Sequence, residues 1–333
     1  MREDTARPTR TAALHLAADE ARRAPSILNT QPWRWQVHDD ALDLHADPAR
    51  QLGAVDPQGR LLTVSCGAAL HHARVALAAA GYEPVVERRP DPASPSLLAR
   101  VRAGLPRPAG EDDRITYEAM LRRRTDRRRF GSPVPVAAEV LSALRAAAEA
   151  EHARLHRLRP GEVEYLGYAA QGAHVLDAKD EGRVAEQRAW THRGPDSADG
   201  MAGDAVPAPD DRPVPLRDFA LGGEATLDPG PGDEGNVEYL AVVTDDDGAG
   251  DWLAAGEATS AVWLAAVAHG LAASPLSDVV EIPGARALLG SLVQPAGHPQ
   301  LVLRVGVDPD PVPPPASPRR PASDVIDGGD ATR

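Results

Sequence analysis

The chain has one cysteine, one lysine and few aromatic residues, and each scarcity closes off a class of protein. A lone Cys66 can neither form an internal disulfide nor build a cysteine metal cage. Aromatics make up 4% of the 333 residues, so Ala, Val and Leu must carry the packing; 42% hydrophobic content is enough for a sizeable core. Acidic residues outnumber basic ones by 49 to 36, for a formal charge of −13. That balance argues against nucleic acid or an anionic membrane surface as partner. All basic residues except Lys179 are arginine, a bias that GC-rich coding explains without reference to function. No apolar run approaches the ~20 residues a membrane span needs. The first ten residues are charged and lack the apolar stretch of a secretory signal. A soluble, cytoplasmic protein acting on a small molecule is expected. HExxH, CxxC, GxGxxG and Walker patterns are absent. His71 and His72 are neighbours on a helix and do not share the face a metal would need.

What is present alternates between helical and strand patterns. Apolar spacing, prolines and glycines predict helices over 11–23, 61–81, 115–124, 137–151, 162–190 and 252–272. Strands are predicted at 33–37, 41–45, 83–88, 154–158, 238–244 and 300–307. Pro25 ends the first helix, because the residue before a proline is pushed out of helical geometry. Gly81 ends the second. Residues 91–110, rich in Pro, Ala and Gly, read as a linker. Residues 193–233 are crowded with Pro, Gly and Asp, and a loop that long in a compact domain is expected to be functional or mobile. No βαβαβ series is visible, which favours an α+β layered fold with unequal halves, 1–110 and 111–333. The halves share a crude helix–strand plan, with no residue-level repeat between them.

Three segments carry the candidate chemistry. In Ala24-Pro25-Ser26-Ile27-Leu28-Asn29-Thr30-Gln31-Pro32-Trp33 two prolines stiffen a loop on which Ser26, Asn29 and Gln31 offer hydrogen-bonding groups. Such an arc suits the polar edge of a flat heteroaromatic ligand. Residues 122–129 contain six arginines with Thr125 and Asp126 among them. In an acidic protein such a cluster must be offset by carboxylates or by an anionic ligand, and guanidinium forks bind phosphate well. Near the C-terminus, Arg319-Arg320-Pro321 follows a strand ending in Gly306 and a proline-rich turn.

These segments resemble, in order, the signatures of the FMN-dependent nitroreductase superfamily, and the chain looks most similar to its Acg-type branch. Ser65-Cys66-Gly67-Ala68-Ala69-Leu70, Glu181-Gly182-Arg183 with Trp190-Thr191, and Trp252 through Ala258 add to the likeness. The resemblance implies that Arg123, Thr125 and Arg127 hold the FMN phosphate and ribityl chain, together with either Arg319 or Arg320. It implies that Pro25, Ser26, Ile27, Asn29 and Gln31 lie against the flavin, and that Pro275, Leu276 and Ser277 pass beside its reactive edge. Many nitroreductases have Glu-Gly where this chain has Ser277-Asp278. The branch implies a nitroreductase-like fold in which a truncated half, 1–110, and a fuller half, 111–333, form a pseudo-dimer within one monomeric chain and share one FMN. The implied activity moves hydride from NAD(P)H through FMN to a nitroaromatic or quinone-like acceptor. Two alternatives stay open: a flavin-sequestering protein with residues 193–233 as a lid, and a binding module without flavin. No metal is expected, and Cys66 reads as a small buried residue.

Overall fold

A computed structural model describes residues 7–328 except 192, 195, 209, 222–224, 296 and 311. In chain order the elements are α1 (Arg10–Ala21), β1 (Trp33–Val37), β2 (Leu42–Ala46), α2 (Arg60–Ala79), β3 (Tyr82–Arg88), β4 (Leu97–Pro106), α3 (Glu111–Arg122), α4 (Ala138–Glu149) and β5 (Arg154–Arg157). There follow α5 (Pro160–Asp177), α6 (Glu181–Trp190), β6 (Glu238–Thr244), α7 (Ala249–Ala268), β7 (Ala272–Leu276) and α8 (Asp278–Glu281). The last are α9 (Pro283–Val293), β8 (His298–Gly306), α10 (Ala322–Val325) and β9 (Ile326–Asp327). The α+β class is as expected.

Two helices form the centre. α2 and α7 are each 20 residues long, and Gly67 of one meets Gly256 of the other. A Cβ on Gly67 would lie 2.1 Å from the Leu253 carbonyl oxygen; one on Gly256 would lie 2.0 Å from that of Val64. Only glycine lets the two backbones approach so closely. α2 is long and apolar enough to cross a membrane, yet 94% of it is buried inside the protein, as befits a core helix.

Each central helix serves its own sheet. One sheet runs β3-β4-β2-β1-β9, the other β5-β6-β8-β7. Read from the strand that follows each central helix, β3-β4-β2-β1 corresponds to β7-β8-β6-β5, with every pair antiparallel in both. α1 precedes the first set and α4 the second. Gly81, at φ +89°, and Gly270, at φ +76°, leave the two central helices in left-handed turns that lead into β3 and β7. Each lies fourteen residues beyond its interface glycine. The two glycine pairs therefore hold matching places in the two helix–sheet units, a correspondence that the surrounding side chains do not show in sequence.

β1 buries Trp33, Trp35 and Val37 and exposes Arg34 and Gln36, the period-two pattern of a strand covered on one face. β6 is buried throughout. Its odd residues, Tyr239, Ala241 and Val243, pack with α5, α8 and α9, while Leu240 and Val242 pack with α4 and α7. Two expectations are corrected, and one element was not foreseen. The supposed linker contains β4, whose Leu98, Ala99 and Val101 join the first core. The predicted helix 162–190 is two helices, broken where the Asp180 side chain caps α6 by accepting from the Arg183 amide. β9 adds in parallel to β1, so the C-terminal segment closes the sheet at the other end of the chain.

Candidate functional site

Residues 24–31 form a tight arc between α1 and β1. Leu28, Asn29 and Gln31 all adopt left-handed backbone, at φ 44°, 54° and 49°. Three such non-glycine residues in four positions store strain that the surroundings must hold. The Ser26 hydroxyl accepts from the Gln31 amide at 2.9 Å, and the Ile27 amide donates to the Ser65 hydroxyl of α2 at 3.1 Å. The arc thus rests on the first turns of α2.

The arginine run after α3 splits into two sets. Arg128 pairs with Asp126, Asp308 and Asp310, and Arg129 with Asp210. Arg123 and Arg127 point elsewhere, and neither has a carboxylate at ion-pair distance among the described residues. Arg123 is buried and lies over the Trp263 ring at 4.8 Å, with its Nε and Nη1 unpartnered. Arg127 lies over Phe219 at 4.9 Å and donates to the Ala205 carbonyl at 3.3 Å. Arg319, from the C-terminal segment, joins them. Its Nη2 and that of Arg123 donate to one acceptor, the Arg23 carbonyl, at 2.9 and 3.1 Å. Burial, and then neighbouring positive charge from Arg319 and Arg124, lowers Arg123 to about 9. Burial lowers Arg127 to about 10, partly offset by Asp126. Arg319 is lowered to about 10 by burial and then by Arg124, Arg23 and Arg22. All three stay charged at neutral pH, so a cationic corner persists with no ion-paired carboxylate among the described residues.

Two adjoining cavities open onto this corner. The larger encloses about 620 Å³ of empty space, mouth included. Its walls are mainly apolar: Ile27 and Leu28 from the arc, Val64 from α2, Trp263 from α7, and Met201 and Phe219 from the long segment. Ser26, Ser65, Thr259 and Ser277 supply the hydroxyls. The smaller, about 490 Å³, shares Pro25, Ser26, Arg127 and Met201 with the larger and adds Asn29, Thr125 and Arg319. The exposed carboxylate of Asp204 also borders it.

The tertiary structure therefore gathers Pro25, Ser26, Ile27, Asn29, Thr125, Arg127, Pro275, Ser277 and Arg319 around one continuous space, with Arg123 behind Trp263. Gln31, Leu276 and Arg320 stand outside its walls. Gln31 Nε2 donates to the Ala198 carbonyl at 3.0 Å, and its Oε1 accepts from the Arg320 amide at 2.8 Å. The Arg320 guanidinium turns to the Gln31 and Asp324 carbonyls, at 3.2 and 2.9 Å. Of the two C-terminal arginines, Arg319 is thus the one at the cavity. Leu276 is buried in the core of the second sheet. Beside Ser277, Asp278 turns away to His174 at 2.6 Å. Burial would raise its carboxyl, but the His174 hydrogen bond and the Arg217 charge hold it below the usual range.

The long segment covers the space. Asn29 Nδ2 donates to the Gly200 carbonyl at 2.9 Å, the Gly200 amide donates back to the Asn29 carbonyl at 3.2 Å, and Arg50 pairs with Asp199. Met201 and Val206 pack with Leu28, Leu52 and Val55. Met201, Phe219, Thr259 and Trp263 were not among the residues expected at the site. The long loop was a signal for the first two; the others lie in a helix whose apolar pattern reads simply as core.

No family model matches the chain. A Mycobacterium tuberculosis H37Rv protein named "Putative NAD(P)H nitroreductase Rv3131" is 39% identical over 316 residues, covering 92% of this chain and 88% of that one. Another from the same strain, "Putative NAD(P)H nitroreductase acg", is 35% identical over 319 residues, covering 95% and 96%. Among solved structures, a nitroreductase with bound FMN from Desulfitobacterium hafniense DCB-2 aligns at 16% identity over 65% of this chain and 98% of that one, with a TM-score of 0.40. At the identity and coverage of the mycobacterial relatives, the chain belongs to the Acg-type NAD(P)H nitroreductase family of oxidoreductases.

Proposed function

We propose that this chain binds FMN in the space between the 24–31 arc, α2, α7 and the arginine corner, and works there as an NAD(P)H-dependent reductase of nitroaromatic or quinone-like acceptors. One observation carries the reading: Arg123, Arg127 and Arg319 converge with no carboxylate at ion-pair distance among the described residues, in a protein whose net charge is −13. Keeping such charges desolvated is costly unless an anion answers them. A phosphate monoester fits that demand, because guanidinium forks match its oxygens. The adjoining apolar slot fits a flat ring system.

FMN, when bound, supplies the two-electron exchange between a reduced nicotinamide and the acceptor. The chain's own residues place and shield it. Arg123, Thr125, Arg127 and Arg319 hold the phosphate end; Ile27, Leu28 and Trp263 line the slot; Met201 and Phe219 exclude water from it. No carboxylate or imidazole is among the described residues lining the slot, so proton delivery by a side chain has no candidate there. Ser277 borders the region where a substrate would enter. The matching strand orders of the two sheets support reading 1–110 and 111–333 as fused halves, with the chain working as a monomer.

An absorbance spectrum of the purified chain, taken before and after anaerobic NADPH, tests this. A flavin band that bleaches, and returns on addition of a nitroaromatic, is expected. Colourless protein that ignores added FMN would overturn the reading.

A further inference from the structure

Two polar groups on the slot wall have no protein partner. Thr259 and Trp263 are four residues apart on α7, so their side chains leave the helix on one face. Both border the slot, and they are 3% and 1% exposed. Neither Thr259 Oγ1 nor Trp263 Nε1 makes a hydrogen bond within the protein. A buried polar group left unpaired loses its hydration without compensation, so such groups are normally satisfied. An indole N–H can only donate, and a threonine hydroxyl can donate as well. The other hydroxyls of the wall, on Ser26, Ser65 and Ser277, are hydrogen-bonded to neither of them. What would satisfy both is a ligand that presents oxygen or nitrogen acceptors toward α7. The Trp263 ring also carries Arg123 at 4.8 Å, which ties this part of the slot to the cationic corner.

We propose that Thr259 and Trp263 contact the cofactor, donating hydrogen bonds to the carbonyl-bearing edge of the flavin ring; this rests on the FMN reading above. Donors so placed favour negative charge on the reduced ring, and thereby raise the potential of the bound flavin. The pair would then set how readily the flavin accepts electrons, as well as where it sits.

The test uses the full chain with Thr259→Val, which keeps shape while deleting the donor, with Trp263→Phe, which deletes the indole N–H and keeps a smaller aromatic ring, and with Thr259→Ser, which keeps the hydroxyl. FMN is titrated by fluorescence quenching, and the visible band and midpoint potential of the bound flavin are recorded. Each deletion is expected to weaken FMN roughly 3- to 10-fold and to make the potential more negative, with Thr259→Ser close to the parent protein. If the parent protein does not bind FMN, the functional reading fails and this inference with it. If it binds, but both deletions keep its affinity, band and potential, the inference alone is overturned. That holds equally if only the Michaelis constant for a nitroaromatic rises, since the pair would then face the substrate.

Discussion

The two sides of the 122–130 loop use the same side chain for opposite ends. On one side Arg128 meets three aspartates, Arg129 meets Asp210, and Arg304 of β8 meets Glu234 at 2.7 Å. The Arg128 and Arg129 pairs join the loop to residues 210, 308 and 310, and the Phe130 amide joins it to Glu234 at 3.0 Å, so these charges are spent inside the protein. On the other side Arg123 and Arg127, with Arg319, meet backbone carbonyls, the Asn29 amide oxygen, a thioether and aromatic faces, and no carboxylate at ion-pair distance among the described residues. Their charges are left over. Composition cannot separate the two sets, because both lie within one run of arginines; the whereabouts of carboxylates from distant segments does.

The comparison breaks most visibly at Arg128. Its replacement by alanine leaves Asp126, Asp308 and Asp310 without their cation, and a loss of about 3–5 kcal/mol in unfolding free energy is expected. Urea denaturation measures it; a loss below 1 kcal/mol would mean that these pairs do not fasten the loop. Arg123→Ala and Arg127→Ala should behave in the reverse way. Unfolding without ligand should be unchanged or shifted to higher urea, because an unanswered buried charge is removed. FMN affinity should fall by about 1.5–3 kcal/mol for each. Riboflavin, which lacks the phosphate, should bind the variants and the parent protein alike, and an equal loss for both ligands would remove the phosphate assignment. Arg319 and Arg320 sharpen the contrast between neighbours. Arg319→Ala should cost roughly tenfold in FMN affinity. Arg320→Ala should instead lower stability by ~0.5–1.5 kcal/mol through its lost contacts to Gln31 and Asp324, with no preference for FMN over riboflavin. Thr125→Val is the smallest expected effect, ~0.5–1.5 kcal/mol on FMN binding and none on riboflavin; isothermal titration resolves it.

Much of the fold could be read from sequence where pattern and element coincide. The predicted strands 33–37 and 238–244 match β1 and β6, whose aromatic and β-branched residues have few other options. The strand β4 was hidden by Gly104, Pro106 and Pro108, which resemble linker composition although Ala99, Arg100 and Val101 are paired on both sides. The break between α5 and α6 turns on one side chain, Asp180, in an otherwise helical stretch. At the site, Ser26, Thr125 and Arg127 could be named because the motif spacing picks them out. Gln31 was named for the right chemistry but holds residue 198 and the C-terminal segment, since its amide is satisfied by chain far away in sequence.

The amino-acid order by itself determined the helices and strands with strong periodicity, the stops at Pro25 and Gly81, and the presence of a cationic run in an acidic chain. These follow from local sterics and from composition, which need no knowledge of what lies opposite. Which arginines stay uncompensated, that Arg319 and not Arg320 borders the cavity, and that α7 presents Thr259 and Trp263 to the slot were decided only by tertiary packing. Desolvation and pairing depend on the groups that folding brings within a few ångströms, and here those come from segments nearly three hundred residues apart.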